Sequence, residues 1–78
     1  MPRIPRDCGA KQLVGLLRKY GYEVACQTGS HMRLYSGTYD HSITSSNHNP
    51  IKIGTLSAIL AKVSATIGID KARLIEQL

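Results

Sequence analysis

His31-Met32-Arg33-Leu34-Tyr35 alternates polar and apolar side chains. Successive side chains of a strand point to opposite faces, so this stretch reads as a strand with one buried and one wet face. Met32 and Leu34 go to the core side. His31, Arg33 and Tyr35 share the solvent side. Upstream, Tyr22-Glu23-Val24-Ala25-Cys26-Gln27 alternates in the same way, with Tyr22, Val24 and Cys26 set against Glu23, Ala25 and Gln27. Thr28-Gly29-Ser30 is a short turn, with Gly29 available for a positive φ. Downstream, Gly37 to Asp40 is turn-like, and His41-Ser42-Ile43-Thr44-Ser45 is a third, weaker strand. The connections are too short for crossover helices, so the strands form an antiparallel meander.

Helical patterns flank the meander. Residues 1–6 hold two prolines and two arginines and read as an extended basic arm. Asp7 is placed to cap a helix whose apolar stripe is Leu13, Leu16, Leu17 and Tyr20, at i, i+3, i+4 and i+7. Lys11, Arg18 and Lys19 lie off that stripe, and Gly21 stops the helix. After the polar loop Ser46-Asn47-His48-Asn49-Pro50, Ile51 and Ile53 are expected to pack inward. Gly54-Thr55 opens a longer helix, with Thr55 as its expected N-cap and Leu56, Ile59, Leu60, Val63 and Ile67 as its apolar face. Gly68 ends it. Asp70 caps a short last helix that packs back through Leu74, Ile75 and Leu78. The expected class is α+β, in the order α-β-β-β-α with a short appended helix. A small sheet can bury one face against helices of this size, so the other stays in water.

Size and composition limit what such a fold can do. Seventy-eight residues make one domain, 1–78, that buries only about 60% of its unfolded surface. A dinucleotide-binding fold with a second domain, a barrel enzyme and a membrane bundle are excluded. No run of 18 apolar residues is present, and no apolar stretch follows the N-terminal charges, so a soluble cytoplasmic protein is expected. Ten Lys and Arg against five Asp and Glu give a net charge of +5. That balance favours polyanionic partners, nucleic acid first and an acidic protein second. It equally describes a basic protein kept soluble by its charge. Trp and Phe are absent, which argues against a row of base-stacking rings.

No cofactor is expected. Cys8 and Cys26 fit no zinc spacing and read as reduced thiols. His31, His41 and His48 match no standard ligand motif, and Asp7, Glu23, Asp40, Asp70 and Glu76 are scattered. An imidazole, a guanidinium and a phenol on the open face of a basic protein do make a credible RNA phosphate site. The plainer reading is a polar outer face with nothing on it.

Gly29-Ser30-His31, with Tyr35 four positions on, then His48, and then Gly54-Thr55-Leu56 followed by Ile59-Leu60, form a combined pattern. In it the chain resembles the HicA toxin family, small proteins paired with HicB antitoxins. The tail Ile69-Asp70-Lys71 with Leu74-Ile75 is similar to the family's closing helix. The resemblance implies a double-stranded-RNA-binding-domain-like fold and an mRNA interferase that cuts single-stranded mRNA. It implies His31 as the catalytic residue and a HicB-type antitoxin as partner. One departure is the stretch Ser45-Ser46-Asn47, where many members carry a Val-Pro step.

One histidine is chemically sufficient because RNA carries its own nucleophile. The 2′-hydroxyl must lose a proton, the phosphorane charge must be stabilised, and the 5′-oxygen must gain a proton. Imidazole accepts and donates protons near neutral pH, which is worth about 10²–10⁴-fold in rate. His31 is the candidate general base or general acid. Tyr35 and His48 are candidate second proton-transfer partners, although a strand tyrosine more often packs on its neighbours and a loop histidine often caps. Arg33 is placed to balance phosphate charge; an exposed strand arginine is ordinarily just solvated. Gly29 and Ser30 shape the turn that presents His31 and leave room for the RNA backbone. Arg3, Arg6, Lys11, Arg18, Lys19, Lys52 and Lys62 would steer RNA or meet an acidic antitoxin.

Two other classes compete. A non-catalytic double-stranded-RNA-binding module would open its second helix with clustered lysines, whereas Gly54-Thr55-Leu56-Ser57-Ala58 has none before Lys62. A basic protein-interaction adaptor would leave His31 incidental.

Overall fold

The computed structural model describes residues 3–5, 7–47 and 50–78. Its elements run α1 (Ala10–Lys19), β1 (Tyr22–Thr28), β2 (His31–Ser36), β3 (His41–Ser46), α2 (Ile53–Ile67) and α3 (Lys71–Glu76). The strands form an antiparallel sheet in the order β1-β2-β3. The order, the meander and the short closing helix are those expected from the alternation and the helical stripes.

The alternation of β2 is realised residue by residue. Met32, Leu34 and Ser36 are buried, while His31, Arg33 and Tyr35 are exposed. On the inner face Leu34 and Ile43 pair across strands and join Leu13, Leu17, Leu56, Leu60 and Val63 in the core. α1 packs on β1, and α2 packs on β3 and α3. Burial of these aliphatic side chains, each worth about 1.5–3 kcal/mol, holds the helices to one side of the sheet.

β1 departs from strict alternation. Val24 pairs with Leu34, but the next pair is Cys26 with Arg33, so Ala25 is an extra residue in a β-bulge. The bulge changes which side chains face the core, as a one-residue slip does. Cys26, expected beside Tyr22 and Val24, is instead exposed opposite Arg33. Gln27 takes the register opposite Met32, and Thr28 faces His31.

The helix starts also differ from expectation. Asp7 does not cap α1; the N-cap is Gly9. Asp7 lies too far upstream of Ala10 for its carboxylate to be the cap. Gln12 substitutes, its Oε1 accepting the Gly9 N–H at 2.7 Å. Thr55 is the third residue of α2, whose N-cap is Lys52 in an extended conformation. The Ile51 N–H donates to the Cys8 carbonyl at 2.9 Å, joining the two segments that lead into α1 and α2. Ile51 is buried as expected. Ile53 is 41% exposed, because the helical period begins there and turns it outward. Asp70 does cap α3, accepting from the Ala72 N–H at 3.4 Å. Gly21 and Gly68 close α1 and α2 with φ of 92° and 74°.

Candidate functional site

The candidate site begins at the turn between β1 and β2. Thr28 and His31 are paired, leaving only Gly29 and Ser30 to reverse the chain. Tight hairpins of this length demand positive φ, and Gly29 has φ of 57°. A side chain at Gly29 would meet open space, so the backbone conformation, not crowding, calls for glycine. The Asn47 N–H donates to the Ser30 carbonyl, tying the end of β3 to this turn.

His31 is the first residue after the turn. Its side chain is exposed on the face of the sheet opposite the helices. Its cross-strand partners are Thr28 and Ser46. Among the described residues no hydrogen bond reaches its ring. The imidazole is therefore not committed to a structural partner. His41 contrasts with it: half-buried, it accepts or donates through Nδ1 to the Tyr22 hydroxyl at 2.7 Å and meets that ring edge to face at 5.9 Å.

Arg33 stands next on the same face, flanked by Cys26 and Thr44. Its guanidinium makes one long contact, Nη2 to Ser42 Oγ at 3.5 Å, which leaves most of its donors available. Tyr35 shares the face but not the site. Four residues of strand separate it from His31 by about 13 Å. Its hydroxyl donates to Asp40 Oδ1 at 2.8 Å. That hydrogen bond and the carboxylate charge push the phenol above the usual tyrosine range. The bond to Asp40 holds the hydroxyl toward the turn after β2, so the structure does not bring Tyr35 to the His31 ring. His48, the other expected partner, lies outside the described residues.

The open face is thus divided. Its far end carries Tyr35, Asp40 and Glu23, the last paired with Tyr35. Its near end holds a shallow cleft of about 240 Å³ lined by Cys26, Thr28, His31, Met32, Arg33 and Thr44. No carboxylate lines it. Cys26, Thr28 and Thr44 were not singled out in the sequence, because cross-strand register and a bulge bring them there. A larger cavity of about 470 Å³ lies against α1, lined in part by Lys11, Val14, Arg18 and Val24, and no histidine among the described residues lines it.

The other cations are placed differently from Arg33. Lys11, Arg18 and Lys19 are on α1 and Lys62 is on α2, all exposed on the helix layer. They contribute to the field around the molecule without sitting beside the His31 ring. Arg6 lies outside the described residues. Among the described residues no three His, Cys, Asp or Glu side chains come together, and no helix is long and apolar enough to cross a membrane.

Comparison with known proteins agrees with the motifs around this site. The family model for the HicA toxin of bacterial toxin–antitoxin systems matches residues 10–64, from the start of α1 to near the end of α2. The closing helix α3 falls beyond the matched segment. No curated protein and no solved structure matches the chain significantly. The family match covers most of the 78 residues, the Gly29-Ser30-His31 turn and the Gly54-Thr55-Leu56 helix start included, and the chain belongs to the HicA toxin family of bacterial toxin–antitoxin systems.

Proposed function

We propose that this toxin is an endoribonuclease that cuts single-stranded mRNA, with His31 as its acid–base catalyst. The observation that carries the reading is the His31 ring itself: exposed on an uncovered sheet face and free of any hydrogen bond among the described residues. A polynucleotide can reach it without displacing any of the described residues. Arg33, two residues along the same strand face, is about 6.6 Å away by strand geometry. It stands where a guanidinium can offset charge on a phosphate beside the imidazole.

The reaction follows from the substrate's own nucleophile. A base removes the 2′-hydroxyl proton, and the 2′-oxygen attacks the adjacent phosphorus. The P–O5′ bond breaks as the 5′-oxygen takes up a proton. The products are a 2′,3′-cyclic phosphate and a 5′-hydroxyl. His31 performs one of these proton transfers, and water or a further side chain performs the other. The step as written uses no metal and no cofactor. Tyr35 is left with a place at the far end of the face, and Gly29 and Ser30 with holding the turn. His48 remains a candidate for the second transfer.

The partner that fits a HicA toxin is a HicB-type antitoxin. The exposed cations of α1 and α2 suit an acidic protein, and an antitoxin that also covers His31 would silence the enzyme.

The test is an RNA-cleavage assay with the purified chain in EDTA, followed by analysis of the product ends. The expected result is cleavage that leaves cyclic phosphate and is blocked by 2′-O-methylation of the RNA. Tight RNA binding without cleavage would favour a binding module instead. Strict dependence on Mg²⁺ would overturn the metal-free step.

A further inference from the structure

We infer that the cleft beside His31 is the seat of one ribose-phosphate unit of the RNA, with the Cys26 thiol at its wall. This rests on the reading above and adds the residues that hold the substrate. Three observations lead to it. First, the β-bulge at Ala25 is what brings Cys26 to the open face, opposite Arg33 and beside Thr28. A regular strand would have turned that side chain toward α1. Second, the cleft's side chains match the ligand's chemistry. Arg33 is a cation for the phosphate. The Thr28 and Thr44 hydroxyls donate and accept, as ribose and phosphate oxygens require. Cys26 is small and polarisable, and there is no carboxylate to repel an anion. Third, His31 forms part of the same wall, so a phosphate on Arg33 would lie within reach of the imidazole. The volume of about 240 Å³ is on the scale of one sugar with its phosphate. The bases are left to splay outward, in keeping with a single-stranded substrate.

The placement of the two cysteines makes the inference readable without any catalysis. Cys26 is exposed, whereas Cys8 is buried and its thiol is pushed up by that burial. Alkylation of the native full-length chain with iodoacetamide therefore reports Cys26 alone, and Cys26→Ser should abolish the label. The probe is a mixed-sequence single-stranded RNA, fully 2′-O-methylated so that it cannot be cut, with its binding measured by fluorescence anisotropy. At about ten times its Kd, occupancy should slow alkylation about tenfold, because only the free fraction reacts. Unhindered alkylation at saturating RNA would overturn the cleft while leaving the catalytic role of His31 standing. Protection in a chain that cuts no RNA would uphold the cleft and remove the catalytic reading. Absence of any RNA binding would overturn both. In the cleavage assay Cys26→Trp, which fills the cleft, should raise KM about tenfold or more, as lost occupancy requires. An unchanged KM in folded Cys26→Trp would also overturn the inference.

Discussion

β2 carries two chemistries on alternate residues. Met32, Leu34 and Ser36 face the helices and are almost wholly removed from water. His31, Arg33 and Tyr35, one residue out of phase, face solvent. The inner set supplies stability, because its aliphatic atoms touch the core on every side. The outer set can be spared by the fold and is free to act on a ligand. Within that outer face a second division runs along the strand. The His31–Arg33 end is a cleft without carboxylates, and the Tyr35 end is held by Asp40 and faces Glu23. Side chains on one strand are thus sorted by parity into buried and exposed, and by position into an end without carboxylates and an end that carries them.

Substitutions on the two faces should separate these roles. The largest effect expected is that of His31→Ala on cleavage, a loss of about 10²–10⁴-fold in kcat with the melting temperature unmoved. Leu34→Ala, its neighbour in space but not in face, should do the reverse. Chemical denaturation should show a loss of about 2–5 kcal/mol, with cleavage by the remaining folded fraction intact. If Leu34→Ala left stability unchanged, the assignment of the inner face would be wrong.

A smaller effect tests the pair of Tyr22 on β1 with His41 at the start of β3. Burial pushes the Tyr22 phenol above its ordinary range. The folded state thus holds this proton more tightly than the unfolded chain does. The stability it contributes is fully present below the unfolded value near pH 10 and is lost as pH rises through the higher folded one. Melting temperature should therefore fall above about pH 10, and Tyr22→Phe should flatten that decline. At neutral pH the same substitution should cost about 1 kcal/mol for the lost bond to His41. A decline of equal steepness in the variant would assign it to other groups.

The smallest effects expected are on the outer face. Arg33→Ala should raise KM and lower the salt dependence of RNA binding by about 0.7 in log–log slope, the share of one phosphate on a single strand. Tyr35→Phe should change kcat by less than about twofold, since its hydroxyl is held by Asp40 at the far end of the face. A large drop in kcat for Tyr35→Phe would mean that the two ends of the face act together.

Much of this division is readable from the chain alone, and the exceptions have physical causes. The period-two pattern of β2 specifies its own faces because both faces differ in polarity at every step. Gly29 and Gly21 mark reversals because the backbone there takes positive φ. Cys26 lies on the opposite face from the one its alternation predicts, because nothing in Val24-Ala25-Cys26 announces a bulge; Ala25 is neither glycine nor a turn former. The cleft is likewise unannounced, being assembled from three strands by their register. Asp7 and Thr55 are good capping residues that the helices do not use. Gln12 and the extended Lys52 backbone serve instead, and the contact between Cys8 and Ile51 that joins these two approaches spans over forty residues of sequence. Tyr35 was legible as to face but not as to reach, since alternation says nothing of its bond to Asp40.

The most direct test of the central claim is chemical rescue of His31→Ala. The purified variant is assayed on single-stranded RNA with and without free imidazole in the buffer. The expected result is cleavage lost in the variant and partly restored by imidazole, in proportion to its concentration. Cleavage by His31→Ala at the native rate without imidazole would contradict the account, because the proton would then be moved by some other group.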